Sequence, residues 1–274
     1  MKIIPMVLGL IALFAGPLQV LCVVEVPLTM FNHSVDDQYI GCRHGRESQL
    51  QELKMIPLEE KYRTTWEKAK SHWERLGPAV GNFTPIYGIA IVAYTVGDQL
   101  YRDFNAATRE AGKSQTSYDH YLFRDFHLLL TKALQAKRNK EKCYEVFRGI
   151  KDIHFTLSEK VVRFGQFASS SLDKKVAKGF GEDTFFSIRT CHGVPIDDFS
   201  YHTSQKEVLI PPYESFTVTR HRVENGTDIR LESRGVFSRH NCEVLNAARN
   251  STPLPFLPWG LLFAWITLGP LGSL

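Results

Sequence analysis

Between Glu59 and Leu76 the apolar and aromatic side chains recur at steps of three and four: Tyr62, Trp66, Ala69, Trp73 and Leu76. That spacing predicts one stripe of an amphipathic helix, with both tryptophans in the core. Leu100, Phe104, Ala107 and Ala111 mark a second helix. Tyr118 to Lys137 reads as a third, with Leu122, Phe126, Leu129, Leu130, Ala133 and Leu134 facing inward. Gly77 to Pro85 breaks the first helix from the next segment. After Lys140 the texture changes to short segments separated by turn signals: CYEVFRGI, VVRFGQFASSS, DTFFSIRTC, EVLIPPYESFTVT, TDIRLESRG and HNCEVLN. These predict strands of a mostly antiparallel assembly. A helical half followed by a strand-rich half implies one α+β domain, with helices packed on two sheets, over residues 23–246. There is no internal repeat or low-complexity tract.

Composition sharpens this only a little. A content of 43% hydrophobic and 23% charged residues suits a globular chain with a sizeable core. The formal charge of +4 includes Lys2, the sole charge in the first 22 residues, so it becomes +3 without them. So small and evenly spread an excess argues against nucleic acid as a partner.

The two ends carry more information. Lys2, the apolar run Ile3 to Ala15 and the exit from Gly16 to Cys22 have the order of a secretory signal over residues 1–22. Leu254 to Leu274 is uncharged and interrupted by Pro255, Pro258, Gly260, Gly269 and Pro270. Small residues precede it at Asn246-Ala247-Ala248 and Asn250-Ser251-Thr252. This pattern predicts a glycolipid (GPI) anchor signal over 247–274, removed on attachment, rather than a membrane span. The expected location is the cell surface, held by a lipid anchor, with secretion as the alternative.

Secretion makes the cysteines legible. With Cys22 in the signal, Cys42, Cys143, Cys191 and Cys242 remain as an even set for an oxidising compartment. No CxxC and no His or Cys pair at ligand spacing points to a metal, so two bridges are expected and three pairings stay open. Sequons at Asn32, Asn82, Asn225 and Asn250 fit a glycosylated ectodomain.

Three polar residues on predicted strands stand out: Arg148 after CYEVF, Ser169 opening SSS, and Glu207 in SQKEVLIPP. In an extended chain residues i and i+2 point the same way, so Gln205 and Glu207 are expected to share one strand face. Taken singly, each is an ordinary polar residue at a strand end.

In that order the three resemble the R-S-E signature of the vertebrate ecto-mono-ADP-ribosyltransferases. The resemblance extends to VDDQYIGC (35–42), VAYT (92–95), DFNAATREAG (103–112), VFRG (146–149), VRFGQFASSSL (162–172), FGEDTFFSIRTC (180–191) and EVLIPPYE (207–214). It covers nearly the whole presumed mature chain. It implies bridges Cys42 to Cys242 and Cys143 to Cys191, NAD as substrate with NADP as an alternative, no metal, and extracellular or surface proteins with exposed arginines as acceptors.

Residue chemistry supports the implied roles. Breaking the nicotinamide–ribose bond develops positive charge on the sugar, and a carboxylate that binds the ribose hydroxyl more tightly as that charge grows supplies useful electrostatics. Glu207 is assigned this role. Arg148 has the planar fork to hold NAD in register, and Ser169 orients Glu207. The resemblance also implies that the nicotinamide amide meets the Gly149 backbone, that Tyr94, Gln166 and Ser200 line the NAD cleft, and that Phe180 stacks on nicotinamide. Arginine-specific relatives carry Glu-X-Glu, and this chain has Gln205 at the first position. An amide cannot act as a base towards a guanidinium, so Gln205 is expected to select the acceptor. Three functions stay open: an arginine ADP-ribosyltransferase, an NAD glycohydrolase using water, and a catalytically silent surface glycoprotein.

Overall fold

A computed structural model describes residues 24–42, 45–53, 56, 58–224 and 226–242. The expected signal, anchor segment, Cys22, Asn225 and Asn250 lie outside the described residues. The helical half holds α1 (Gly45–Leu53), α2 (Glu60–Leu76), α3 (Pro85–Thr95), α4 (Gln99–Glu110), α5 (Gln115–Asp119) and α6 (Arg124–Lys137). The stripe on α2 is buried as its spacing predicts, through Tyr62, Trp66, Ala69 and Trp73.

Two helices depart from the sequence expectation. In α3 every residue from Ile86 to Thr95 is buried. A helix surrounded by protein needs no polar face, so it leaves no periodic trace in the sequence. The expected third helix is two, because the chain turns between His120 and Phe123. That turn buries Tyr121 and Phe123 and leaves Leu122 63% exposed, opposite to its predicted inward position.

The strands are β1 (Val24–Leu28), β2 (Tyr144–Ile150), β3 (Ile153–Leu157), β4 (Val161–Val162), β5 (Ala168–Ser171), β6 (Thr184–Thr190), β7 (Val194–Pro195), β8 (Glu207–Ile210), β9 (Glu214–Val223) and β10 (Thr227–Val236), with the short helix α7 (Lys174–Lys178) after β5. Eight strands form one sheet in the order β4-β9-β10-β6-β2-β5-β8-β7, and β1 and β3 form a second, parallel pair. Within the large sheet β10 runs parallel to β6 and the other pairs are antiparallel. Two expected long strands are interrupted for local reasons. Pro211 and Pro212 lack the N–H a ladder needs and separate β8 from β9. The segment Arg163–Phe167, with Gly165 at φ 66°, separates β4 from β5. His240 to Cys242 form no strand, Asn241 and Cys242 being bends, and the rest of that expected segment lies outside the described residues.

At its short strand β8 the large sheet is buried on both faces. Leu209 joins the core under the helices, while Val208 and Ile210 join the core beneath the other face with Leu28 and Phe216. Alternation in the strand thus serves two apolar layers, and all four residues of β8 are buried.

Residues 30–36 and 237–240 are drawn together around Asp36 and Arg163, both fully buried and ion-paired. Arg163 also donates to the carbonyls of Met30, Phe31 and Phe237, and Asp36 accepts from the backbone N–H groups of Arg239 and His240. Cys42 is bonded to Cys242 and Cys143 to Cys191, the pairing implied by the resemblance. The first bridge spans 200 residues. In the chain-entropy model so long a loop constrains the unfolded state by about 5 kcal/mol. Glu214, buried behind the second bridge, accepts the backbone N–H groups of Cys191 and His192 and so fixes that turn.

Burial pushes the Asp36 carboxyl up, but the His240 hydrogen bond and the charge and hydrogen bond of Arg163 outweigh it and hold it below the usual carboxylate range. A carboxylate lowered in the fold contributes stability above its unfolded pKa and loses that contribution only as pH falls through the lowered value. Asp36→Asn, which leaves Arg163 buried without its counter-charge, is therefore expected to cost about 3 to 5 kcal/mol at neutral pH. The same substitution should flatten the acid limb of stability. Denaturant titrations of both proteins from pH 7 to pH 3 measure both effects.

Candidate active site

The sheet order sets β2, β5 and β8 side by side. The register pairs Phe147 with Ser171 and Ser171 with Glu207. Arg148, Ser169 and Glu207, far apart in sequence, therefore line one cleft of about 550 Å³, closed on the helical side by Tyr94 and Thr95 of α3 and Tyr101 of α4. The Arg148 guanidinium donates to the Ser169 carbonyl at 2.5 Å, tying β2 to β5.

Glu207 is only 5% exposed although it borders the cleft. Burial pushes its carboxyl up, and hydrogen bonds from the Ser169 and Ser200 side chains, with the charges of Arg148 and His202, pull it down; the balance stays above the ordinary value. Ser200 Oγ donates to Glu207 Oε2 at 3.3 Å and accepts the His202 N–H at 3.1 Å. A carboxylate placed this way has little water to solvate it and interacts strongly with any positive charge that develops beside it.

Two glycines bring Phe180 to the rim. A Cβ on Gly149 would lie 2.3 Å from the carbonyl oxygens of Ala177 and Gly181, and one on Gly181 would lie 2.4 Å from the Lys151 nitrogen. Gly181 also has φ 134°. The absence of both side chains lets the turn after α7 lie against β2. Phe180 on that turn is 55% exposed and lines the cleft, free to stack on a flat ligand.

The other expected cleft residues divide into two groups. Tyr94 and Gly149 line the cleft. The Tyr94 hydroxyl donates to the Phe167 carbonyl at 2.9 Å and accepts from Asn105 Nδ2 at 3.0 Å, steadying the segment that leads to Ser169. Gln166 sits behind the wall, where its side-chain oxygen receives the Arg109 guanidinium. Ser200, fully buried, stands behind Glu207 rather than in the wall. The expected glycosylation residues Asn32 and Asn82 are exposed.

Gln205 and Glu207 do not share a strand face, contrary to the expectation from sequence. Thr203–Gln205 form a 3₁₀ turn, Lys206 adopts the left-handed conformation at φ 46°, and the strand begins only at Glu207. Alternation does not apply across that junction, yet Gln205 and Glu207 reach the same cleft because Lys206 redirects the chain. His202, Thr95, Tyr101 and Lys151 also line the cleft without having been singled out by sequence reasoning. One signal was available: Tyr101, Asn105 and Arg109 recur at steps of four on α4. Among the described residues no group of three or more His, Cys, Asp or Glu is placed to hold a metal ion.

Comparison with known proteins identifies the family. The chain matches the family described as NAD:arginine ADP-ribosyltransferase over residues 28–238. The NAD(P)(+)-arginine ADP-ribosyltransferase 2 of Gallus gallus is 46% identical, covering 81% of this chain and 74% of its own length. The GPI-linked NAD(P)(+)-arginine ADP-ribosyltransferase 1 of Homo sapiens is 36% identical, covering 87% and 84%. A crystal structure of the eukaryotic mono-ADP-ribosyltransferase ART2.2 superposes with a TM-score of 0.69 at 36% identity, over 80% of this chain and 99% of that one. A mutant of the same enzyme has been solved in complex with NAD, also at a TM-score of 0.69. These matches, over most of a chain with an α+β fold, establish that it belongs to the NAD:arginine ADP-ribosyltransferase family.

Proposed function

We propose that this chain is a mono-ADP-ribosyltransferase that cleaves NAD between nicotinamide and ribose and transfers ADP-ribose to arginine side chains of extracellular or cell-surface proteins. The observation that carries this reading is the convergence of Arg148, Ser169 and Glu207 on one cleft, with Glu207 as the single carboxylate among the described residues lining it. NAD is the substrate, with NADP as an alternative. Arg148 holds the dinucleotide in register and Phe180 offers an exposed ring for the nicotinamide. Glu207 binds the ribose hydroxyl and gains interaction energy as positive charge develops on the sugar. Ser169 keeps the Glu207 carboxylate oriented.

The reaction balances without an oxidant. The glycosidic C–N bond breaks with its electron pair going to nicotinamide, which leaves neutral. A nitrogen of the acceptor guanidinium forms the new bond to the ribose carbon, and one proton is released. Water in place of arginine yields free ADP-ribose and one proton. That second reading, an NAD glycohydrolase, is favoured by Gln205, whose amide lines the cleft but cannot accept a proton.

The uncharged tail and the N-terminal segment support a secreted chain held by a glycolipid anchor, and relatives from Mus musculus and Homo sapiens are named as GPI-linked. Among the described residues no helix is long and apolar enough to cross a membrane. Phosphatidylinositol-specific phospholipase is expected to release the protein from expressing cells; retention with the tail still present in the mature chain would reject the anchor.

Glu207→Gln is expected to remove nicotinamide release, a loss of about 3 kcal/mol or more in the transition state, comparable to deleting a preorganised charge-stabilising group. In the unaltered protein, cleavage should decline on acidification with a midpoint above the ordinary carboxylate range, because burial raises Glu207 and protonation removes the charge the ribose needs. Rates of nicotinamide release against pH test both. Gln205→Glu is expected to raise the fraction of ADP-ribose found on arginine, read by mass spectrometry of an arginine-containing acceptor peptide.

A further inference from the structure

The acceptor side of the cleft needs a base that Gln205 cannot be. Phenol, ammonium and guanidinium groups keep their protons near neutrality, and an amide accepts none. Among the described residues lining the cleft, this leaves Glu207 and His202 as the side chains able to take up a proton. Glu207 is committed to the ribose in the proposed reaction, and its carboxylate is already engaged by Ser169 and Ser200.

His202 stands at the cleft wall. It is exposed and lines the cleft, on the loop that leads into Glu207. Its N–H donates to Ser200 Oγ at 3.1 Å, and the same hydroxyl donates to Glu207 at 3.3 Å. One oxygen thus couples the His202 backbone to the carboxylate. The loop is fixed from behind, because the Tyr201 N–H donates to Thr95 Oγ1 at 2.9 Å and the Tyr201 ring packs against His72 at 5.1 Å. The His202 ring meets Tyr201 edge-on, with centroids 5.3 Å apart and planes at 83°. The His202 carbonyl receives the Gln205 N–H at 3.2 Å, closing the turn that presents both residues to the cleft. The ionisable groups that interact with His202 are Glu207 from β8, His72 from α2 and its neighbour Tyr201, and Arg148 from β2 acts on the same Glu207.

We propose that the His202 imidazole is the acceptor-side base, taking the proton displaced when an arginine guanidinium nitrogen attacks the ribose carbon. The proposal rests on the transferase reading above. The electron pair of the broken C–N bond stays with nicotinamide, the guanidinium nitrogen supplies the pair for the new C–N bond, and its proton passes to His202 and then to solvent. The modified guanidinium keeps one positive charge, and the released proton carries the charge that the nicotinamide ring gave up. An imidazole suffices because the nitrogen becomes acidic only as it bonds to the cationic sugar, at the moment the proton must leave.

The test compares the unaltered ectodomain with His202→Gln, His202→Ala and His202→Gln combined with Gln205→Glu, using NAD and an arginine-containing peptide, with arginine adduct and free ADP-ribose counted separately. His202→Gln is expected to lower the ratio of adduct to free ADP-ribose about a hundredfold, the lower range for loss of a general base. Added imidazole should restore adduct formation in His202→Ala, which a purely structural role for His202 would not allow. The combined variant should recover the ratio, because Gln205→Glu supplies a base on the same turn. An unchanged ratio in His202→Gln, or a loss in His202→Ala that imidazole does not repair, overturns the proposal while leaving the transferase reading intact. Unaltered protein that yields nicotinamide but no adduct overturns both.

Discussion

Asp36 and Arg163 form the constraint around which the chain is arranged. An arginine with no exposed surface is tolerable only if its charge and its donors are met, and here one carboxylate and three carbonyls meet them. Those partners come from residues 30–36 and from Phe237, near the two limits of the described residues. The pair therefore gathers three distant segments, and the Cys42–Cys242 bridge closes the same two ends covalently. The consequence for the site is direct, because Arg163 lies six residues before Ser169. Its anchorage, with the Tyr94 hydroxyl on Phe167 and Arg109 on Gln166, determines where β5 enters the sheet.

The same economy governs Glu207. Desolvation raises its pKa, and two serine hydroxyls and a nearby guanidinium keep the cost from becoming prohibitive. The result is a carboxylate that is oriented and partly satisfied but poor in water, the state in which a developing positive charge is stabilised most effectively. Ser200 illustrates how this is built. It touches the carboxylate from behind, and its hydroxyl is itself oriented by the His202 N–H.

In the proposed reaction the loop from Ser200 to Lys206 would join two parts that have different needs. Cleavage would need a buried carboxylate, whereas a protein acceptor would need an accessible approach. The loop meets both by ending in a left-handed residue, Lys206, after which the chain enters the buried strand β8. Before that point His202 and Gln205 line the cleft from an open turn, and after it Glu207 borders the same cleft from a buried strand.

Short-range physics made much of this legible from sequence. The stripe of α2 follows from a period of 3.6, the apolar segments after Lys140 follow from strand and turn chemistry, and the motif order around Arg148, Ser169 and Glu207 carried the family resemblance. The course of α3 was hidden because full burial erases periodicity, and the break before α6 was hidden because Tyr121 and Phe123 continue an apolar pattern while the backbone turns. Whether a polar residue meets a ligand or supports one that does depends on contacts between segments far apart in the chain. Phe180 is at the rim because Gly149 and Gly181 let two backbones touch, Ser200 and Gln166 stand behind the wall, and His202 enters the cleft on a turn that alternation cannot describe. Local propensity and residue chemistry determined the elements and the candidate groups. Only the tertiary structure decided which groups face one another, because burial and side-chain direction are set by packing across the whole fold.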